Sequence, residues 1–289
     1  MPFDYLAAAT IDQAAVALAG HPGDARVVAG GTDVMVQYRD RRIAPDLIVS
    51  LHRVPGLERI EVGDEVRIGP LVTATQVIRH SDVQARYPAL IEGARMVGAW
   101  LIQNRATLAG NLCNASPAAD TTPALLAHFA RVRLTGPAGD REIPLDHFFT
   151  GPGRTVRKKG EILTEIVLPV VAPRSASAYY KLSPRGAMDI AIVGVAVQVA
   201  LDTAGDRIEE IGIALGAVAP TPIRAIEAEA VLRGRTVRDD LLAEAARAAR
   251  SAARPISDIR GSAAYRSAMV ETLVRRVVRT AIARARMRQ

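Results

Sequence analysis

Apolar and polar positions change period several times along this chain. After Thr10, apolar residues recur at helical spacing as far as Gly20, which predicts a helix over 10–19 capped by Thr10. Residues 26–29 and 46–50 are apolar runs, the second reading Leu47-Ile48-Val49, and predict buried strands. Residues 58–62 and 65–68 flank Gly63-Asp64 and predict a hairpin. Helical spacing returns at 73–80, at 88–97 and at 121–129, where Pro123 falls in the first turn. Strands are predicted at 131–134, 141–143 and 161–168, the last stopped by Pro169, with a loop at Gly151-Pro152-Gly153.

Residues 171–178, V-A-P-R-S-A-S-A, have the Pro and Ser content of a connector, and the main domain boundary is placed there. Beyond it, strands are predicted at 178–182, 190–201 and 207–215, the last two joined by a turn at 202–206 into an antiparallel pair. Helices follow at 224–232, at 238–252 and from 264 onward, which makes an α+β C-terminal region. No repeat of fixed period is present.

Composition narrows the functional classes. At 289 residues with 49% hydrophobic and 23% charged residues, the chain can build two or three cores and is not a disordered segment. The net charge of +7 is compatible with nucleic acid, an acidic partner or an anionic cofactor. Aromatics at 4% argue against binding single strands by stacking. The densest cationic run, Arg275, Arg276, Arg279, Arg284, Arg286 and Arg288, follows a helical pattern and reads as a solvated face or docking tail rather than a nucleic-acid footprint. The same helix has an apolar side of Leu273, Val274, Val277, Val278 and Ile282, which suits docking onto another subunit. The single cysteine, Cys113, excludes an intrachain disulfide and a cysteine-built iron–sulfur or zinc site within this chain, and it reads as a small buried residue. Cysteine usage fits a reducing compartment, and the N-terminal stretch reads as neither signal peptide nor membrane span, so a cytoplasmic location is expected. The histidines show no metal-ligand spacing, and Trp100 reads as core or interface packing.

Two stretches stand apart. In V-V-A-G-G-T-D-V-M (27–35) a buried strand runs into two glycines and then Thr32 at a short helix start. Glycine tolerates positive φ and carries no Cβ, so backbone N–H groups can converge on phosphate oxygens there. Taken alone, an ordinary Gly-Gly turn is an equal reading. The second stretch, A-T-L-A-G-N-L-C-N-A-S-P-A-A-D (106–120), offers a further loop of small residues with hydroxyl and amide donors at 107–111. Two such loops suit an elongated ligand with a diphosphate at its middle. Neither G-x-x-x-x-G-K-[ST] nor G-x-G-x-x-G is present, so the P-loop and the Rossmann fingerprint are excluded.

Together with Y-Y-K-L-S-P-R-G-A-M-D-I-A-I-V-G-V-A-V (179–197), these stretches resemble the FAD-binding medium subunit of molybdenum hydroxylases, the xanthine dehydrogenase and carbon monoxide dehydrogenase family. The resemblance runs in order over nearly the whole chain. It implies an α+β fold with a two-lobed FAD-binding domain of the vanillyl-alcohol-oxidase/PCMH type over 1–172, then a small α+β domain with antiparallel sheet and helices over 173–289. It implies FAD contacts at Val27, Val28, Ala29, Gly30, Gly31, Thr32, Asp33 and Val34, and at Thr107, Leu108, Ala109, Gly110 and Asn111. Asp120, Leu163 and Lys181 match further flavin contacts, although Lys181 reads equally well as a surface lysine without the resemblance.

Where many members read T-I-G-G-N, this chain reads T-L-A-G-N; the methyl of Ala109 is harmless at negative φ and strained at positive φ. The resemblance further implies a small [2Fe–2S] subunit and a large molybdopterin-binding subunit as partners, in a dimer of heterotrimers. Electrons would pass from a molybdenum cofactor through [2Fe–2S] clusters to FAD and then to an external acceptor. No residue of this chain is expected to be catalytic or to bind metal. Two other readings stand beside it: a self-contained PCMH-type flavin oxidase, and a non-enzymatic basic binding module with steep salt dependence.

Overall fold

The computed structural model describes residues 3–186 and 188–288. The first lobe comprises β1 (Asp4–Ala7), α1 (Ile11–Gly20), β2 (Ala25–Val28), α2 (Val34–Arg39) and β3 (Leu47–Ser50). The strands are parallel in the order β1-β3-β2. The central strand β3 is buried at every position, which is why its apolar run is unbroken rather than alternating. Thr10 caps α1 by accepting the Gln13 amide at 3.1 Å, and the Gln13 side chain reaches back to the Ala9 amide at 2.7 Å.

The second lobe comprises β4 (Ile60–Val62), β5 (Val66–Ile68), α3 (Ala74–Arg79), α4 (Ser81–Arg86), α5 (Pro88–Arg95), α6 (Trp100–Gln103), α7 (Leu108–Asn114), α8 (Thr122–Ala127), β6 (Arg131–Gly136), β7 (Gly139–Pro144), β8 (Phe149–Gly151), β9 (Arg154–Thr155) and β10 (Ile162–Leu168). Its five-stranded antiparallel sheet runs β4-β5-β10-β6-β7, and β8 pairs with β9 in a separate hairpin. Thr73 and Gln76 close α3 with a reciprocal capping box.

The remaining chain forms the sheet β11 (Ser175–Leu182), β12 (Val193–Leu201), β13 (Ile208–Gly216) and β14 (Ile223–Arg224), followed by α9 (Ile226–Leu232), α10 (Asp239–Ala252) and α11 (Ala263–Arg286). All of β12 is buried because the sheet is covered on both faces. Val193, Val195, Val197 and Val199 pack with α10 and α11. Ala196 and Ala214 point the other way, into the core of the second lobe. That face is made of small residues because α8 lies directly on it. A Cβ on Gly212 would run into the Ala127 carbonyl oxygen, and one on Gly216 would meet Pro123 at 2.9 Å.

Several expectations change. The apolar side of the C-terminal helix, Leu273, Val274, Val277, Val278 and Ile282, is buried in this domain's own core and offers no docking face. An amphipathic pattern states that a face is buried, not what covers it. Most of the helix's cations are also engaged within the chain. Arg279 pairs with Asp239 at 2.6 Å, Arg284 with Glu92 at 2.6 Å, and the Arg276 guanidinium stacks over Tyr180. Arg286 and Arg288 donate to the Gly205 and Ser175 carbonyls, each at 3.0 Å. Trp100 is not core: it is 77% exposed on the single turn of α6, beside Leu101 at 81%. The segment expected as a loop at 107–111 is instead the start of α7.

The approach of α8 to β13 yields a direct test. Gly212→Ala is expected to lower the unfolding free energy by about 1–3 kcal/mol, because a methyl cannot be accommodated against a backbone carbonyl. Gly20→Ala, where nothing lies within 4 Å of the added carbon, should leave it intact. Urea denaturation monitored by circular dichroism reads both; equal stability of Gly212→Ala and the parent chain would contradict the packing described.

Candidate functional site

β2 ends at Val28, and the chain turns through Ala29, Gly30, Gly31 and Thr32 before α2 begins at Val34. The two glycines are required for different reasons. Gly31 has φ +77°, in the left-handed region. Gly30 is pressed against another backbone, since a Cβ there would strike the Arg105 carbonyl oxygen. That contact brings the chain leading into α7 against the glycine turn. Among the described residues, the amides of Gly30, Gly31, Thr32 and Asp33 donate to no acceptor within the chain.

Across from the turn, the Thr107 hydroxyl caps α7 by accepting the Gly110 amide at 3.0 Å. Asn111 is oriented by the Thr121 hydroxyl, which donates to its Oδ1 at 2.7 Å. Asn114, at the end of α7, stitches the segments together. Its Nδ2 donates to Asp33 Oδ1 and its Oδ1 accepts from Gln37 Nε2, both at 3.2 Å. The His52 ring bonds the Ala29 carbonyl at 2.7 Å through Nε2. Ala109 lies within α7 and is not among the residues at positive φ, so its methyl introduces no backbone strain.

The two segments border one cavity of about 710 Å³, within the range that holds cofactors and other small molecules. Of the residues anticipated from the sequence, Val27, Ala29, Gly30, Gly31, Thr32, Asp33, Val34, Thr107, Ala109, Gly110, Asn111 and Leu163 line it. Val28 and Leu108 do not. Leu108 is packed in the core of the second lobe. Asp120 and Lys181 also lie outside this wall and form a cluster of their own. Lys181 Nζ meets Asp120 Oδ2 at 2.8 Å, with only 4% of the lysine side chain exposed, so Lys181 is no surface lysine. The Tyr179 hydroxyl donates to Asp120 Oδ1 at 2.9 Å. Burial pushes the Asp120 carboxyl above its ordinary value, while Lys181 and Tyr179 pull it back.

Sequence reasoning missed a charged part of the wall: Asp24, Arg26, Arg157, Lys158, Lys159 and Glu161. The triplet Arg157-Lys158-Lys159 was the available signal. Asp24 and Arg26 neutralise each other at 2.7 Å, and Glu161 is held by Arg141 at 2.8 Å. Lys159 donates to the His21 carbonyl at 2.6 Å. Burial raises the Asp33 carboxyl and the Cys113 thiol, so Cys113 is not poised as a thiolate nucleophile. Asp189 pairs locally with Arg185 at 3.1 Å.

Comparison with known proteins matches nearly the whole chain, in two consecutive segments. Residues 1–171 match the family described as the FAD binding domain in molybdopterin dehydrogenase, and residues 178–281 match the CO dehydrogenase flavoprotein C-terminal domain. The chain is 33% identical over 284 residues to a xanthine dehydrogenase FAD-binding subunit of Escherichia coli O157:H7, covering 97% of this chain and 96% of that one. It is 34% identical over 284 residues to the carbon monoxide dehydrogenase medium chain of Hydrogenophaga pseudoflava, covering 98% of each. It superposes with a TM-score of 0.94, at 34% identity and 98% coverage of each chain, on a structure of carbon monoxide dehydrogenase from H. pseudoflava that lacks the Mo-pyranopterin moiety of the molybdenum cofactor.

The Asp120–Lys181 pair generates a prediction of its own. Lys181→Met should cost about 3–5 kcal/mol of stability at neutral pH, because it strands a buried carboxylate. Asp120→Asn in the same background should recover a large part of that loss. Chemical denaturation of the two single variants and the double variant reads the coupling; additive effects would show that the pair is not a unit.

Proposed function

The chain belongs to the FAD-binding medium-subunit family of the molybdenum hydroxylases, and from that premise we propose that the cavity between the glycine turn and α7 is its FAD site. The observation that carries the assignment is the convergence of 29–34 and 107–111 on one cavity, with the amides of Gly30 to Asp33 unspent. A diphosphate fits that donor set, because it offers oxygens to converging N–H groups and needs no side chain where Gly31 turns. FAD has such a diphosphate and FMN does not. When bound, FAD supplies redox chemistry that no side chain of this protein can supply, taking up and passing on electrons.

The chain's own residues bind and orient. Gly30 and Gly31 keep the turn bare, and Thr107 fixes the start of α7. Asn114 holds the turn and helix in register through Asp33 and Gln37. Leu163 contributes an apolar wall. We assign Asp120 and Lys181 to the flavin side of the cofactor and Val28 and Leu108 to the packing behind the diphosphate. We divide the chain into a cofactor domain at 1–172 and a C-terminal domain at 173–289.

In this reading the protein is the electron-transfer subunit of a cytoplasmic complex. A small [2Fe–2S] subunit delivers electrons from a large molybdopterin-binding subunit, where substrate is oxidised, and the assembly is a dimer of heterotrimers. Membership in a family of dehydrogenase-complex subunits supports multi-subunit assembly. No helix among the described residues is long and apolar enough to cross a membrane. A self-contained oxidase is less well supported, because Asp24 and Glu161 on the cavity wall are held by Arg26 and Arg141, and burial raises the Cys113 thiol away from the thiolate form. A polyanion-binding module is less well supported because many of α11's arginines are already engaged within the chain.

Cofactor released from the purified chain is expected to chromatograph as FAD, close to one per chain. Gly31→Val should weaken FAD binding by about 2–4 kcal/mol, by filling the turn and removing charge-assisted amide bonds. Recovery of FMN alone, or no flavin after reconstitution, would refute the assignment; parental affinity in Gly31→Val would refute the turn's part in it.

A further inference from the structure

The cavity wall contains a cation that the fold itself does not use. Arg157 lies between β9 and β10 and is only partly exposed. Its backbone amide and its Nε both donate to the Thr155 hydroxyl, at 3.4 and 3.2 Å, which anchors one edge of the guanidinium. Among the described residues the guanidinium has no carboxylate partner and no other hydrogen bond. Its neighbours on the wall differ. Arg26 is matched by Asp24, and Lys159 is bonded to His21. Lys158 is exposed to solvent.

The position of Arg157 gives this spare charge a purpose. Arg157 and Thr155 border the same cavity as Gly30, Gly31, Thr107 and Gly110. The guanidinium is near enough to α7 that its charge draws the Cys113 thiol back down against the effect of burial. Cys113 precedes Asn114, the residue that ties α7 to the glycine turn. A guanidinium fork, anchored at Nε by Thr155, therefore borders the same space as the open amides of the glycine turn. Backbone amides offer partial charges, whereas a diphosphate carries two full negative ones. A guanidinium binds phosphate oxygens in pairs, which a lysine cannot do.

We propose that Arg157 is a cofactor-binding residue whose guanidinium pairs with the diphosphate of FAD, completing the charge balance that the glycine turn and α7 leave open. The inference rests on the FAD assignment above and adds to it a residue outside both glycine-containing segments. It also explains why a partly buried arginine is held at Nε by Thr155 yet left unpaired at its two terminal nitrogens.

The test uses the full-length chain stripped of flavin, titrated with FAD at low and high salt while flavin fluorescence is followed. Arg157→Leu should raise the FAD dissociation constant about ten- to a hundredfold at low salt. It should also flatten the salt dependence of binding, because one charge pair is gone. Arg157→Lys should fall between the two in affinity and keep the salt dependence. Thermal melting of the flavin-free variants should match the parent, since the one bond of the guanidinium, from Nε to the Thr155 hydroxyl, is local and joins no separate elements; should Arg157→Leu melt early, Arg157→Gln gives the same reading with a polar side chain. Parental FAD affinity in Arg157→Leu or Arg157→Gln, or a loss with an unchanged salt slope, would overturn the role of Arg157 and leave the FAD site standing. Failure of the parent chain to bind FAD would overturn the site as well.

Discussion

The contact between Gly30 and the Arg105 carbonyl is the constraint on which the cavity between the glycine turn and α7 depends. Two segments distant in the chain must pass with no side chain between them. Only then can Asn114 reach Asp33 and Gln37, and only then do the amides of the turn and the start of α7 border one space. A Cβ at Gly30 would push these backbones apart and widen the cleft before any ligand entered. The same device recurs where the second lobe meets the C-terminal sheet. Gly212, Ala214 and Gly216 leave β13 bare so that α8 can lie on it. The buried Asp120–Lys181 pair links the two regions, because its partners come from the segment before α8 and from β11. Close backbone approach thus fixes both the cleft and the platform behind it.

Electrostatics follow from this packing. Most ion pairs of the structure sit at the surface, where each contributes little to stability. The exceptions are placed with purpose. Lys181 and Tyr179 hold a carboxyl that burial raises above its ordinary value, and both pull it back down. Glu229, almost fully buried, is held by Arg224 at 2.5 Å and accepts the Ile213 amide at 3.0 Å, fastening α9 to β13. On the cavity wall the acids are neutralised or lifted by burial, while Arg157 remains unmatched. The resulting surface suits an anion to be held in place and is poorly suited to nucleophilic or acid–base chemistry. A protein of this kind positions a redox group and leaves substrate oxidation to another chain.

Much of the architecture was legible in the sequence where local signals are strong. The Thr10 cap, the Gly63-Asp64 hairpin, the run Leu47-Ile48-Val49 and the antiparallel pair around 202–206 all form as patterning anticipates. The helices α4 and α6 were not read as separate elements because they are too short to display a period. α7 was taken for a loop because Ala109, Gly110 and Asn111 weaken the helical signal; its buried Leu108, Ala109 and Leu112 mark one helical face only once the fold is known. Of the residues the motif resemblance pointed to, most line one cavity while Val28, Leu108, Asp120 and Lys181 do not, and it did not point to Arg157, Lys158 or Asn114. Their positions depend on tertiary approach rather than on spacing. The misread face of α11 has the same origin: its apolar stripe was visible, and its partner, the sheet of its own domain, was not.

Fold, cavity chemistry and family membership converge on a subunit that conveys electrons without choosing the substrate. The most direct measurement is anaerobic reduction of the flavin, followed by bleaching of its absorbance, with a panel of purines, aldehydes, N-heterocycles and carbon monoxide. The FAD-loaded chain alone should stay oxidised with every compound. The same chain combined with its iron–sulfur and molybdenum partner subunits should bleach with the substrate of the complex. Rapid bleaching of the isolated chain by any member of the panel would locate substrate oxidation within this protein and contradict the account.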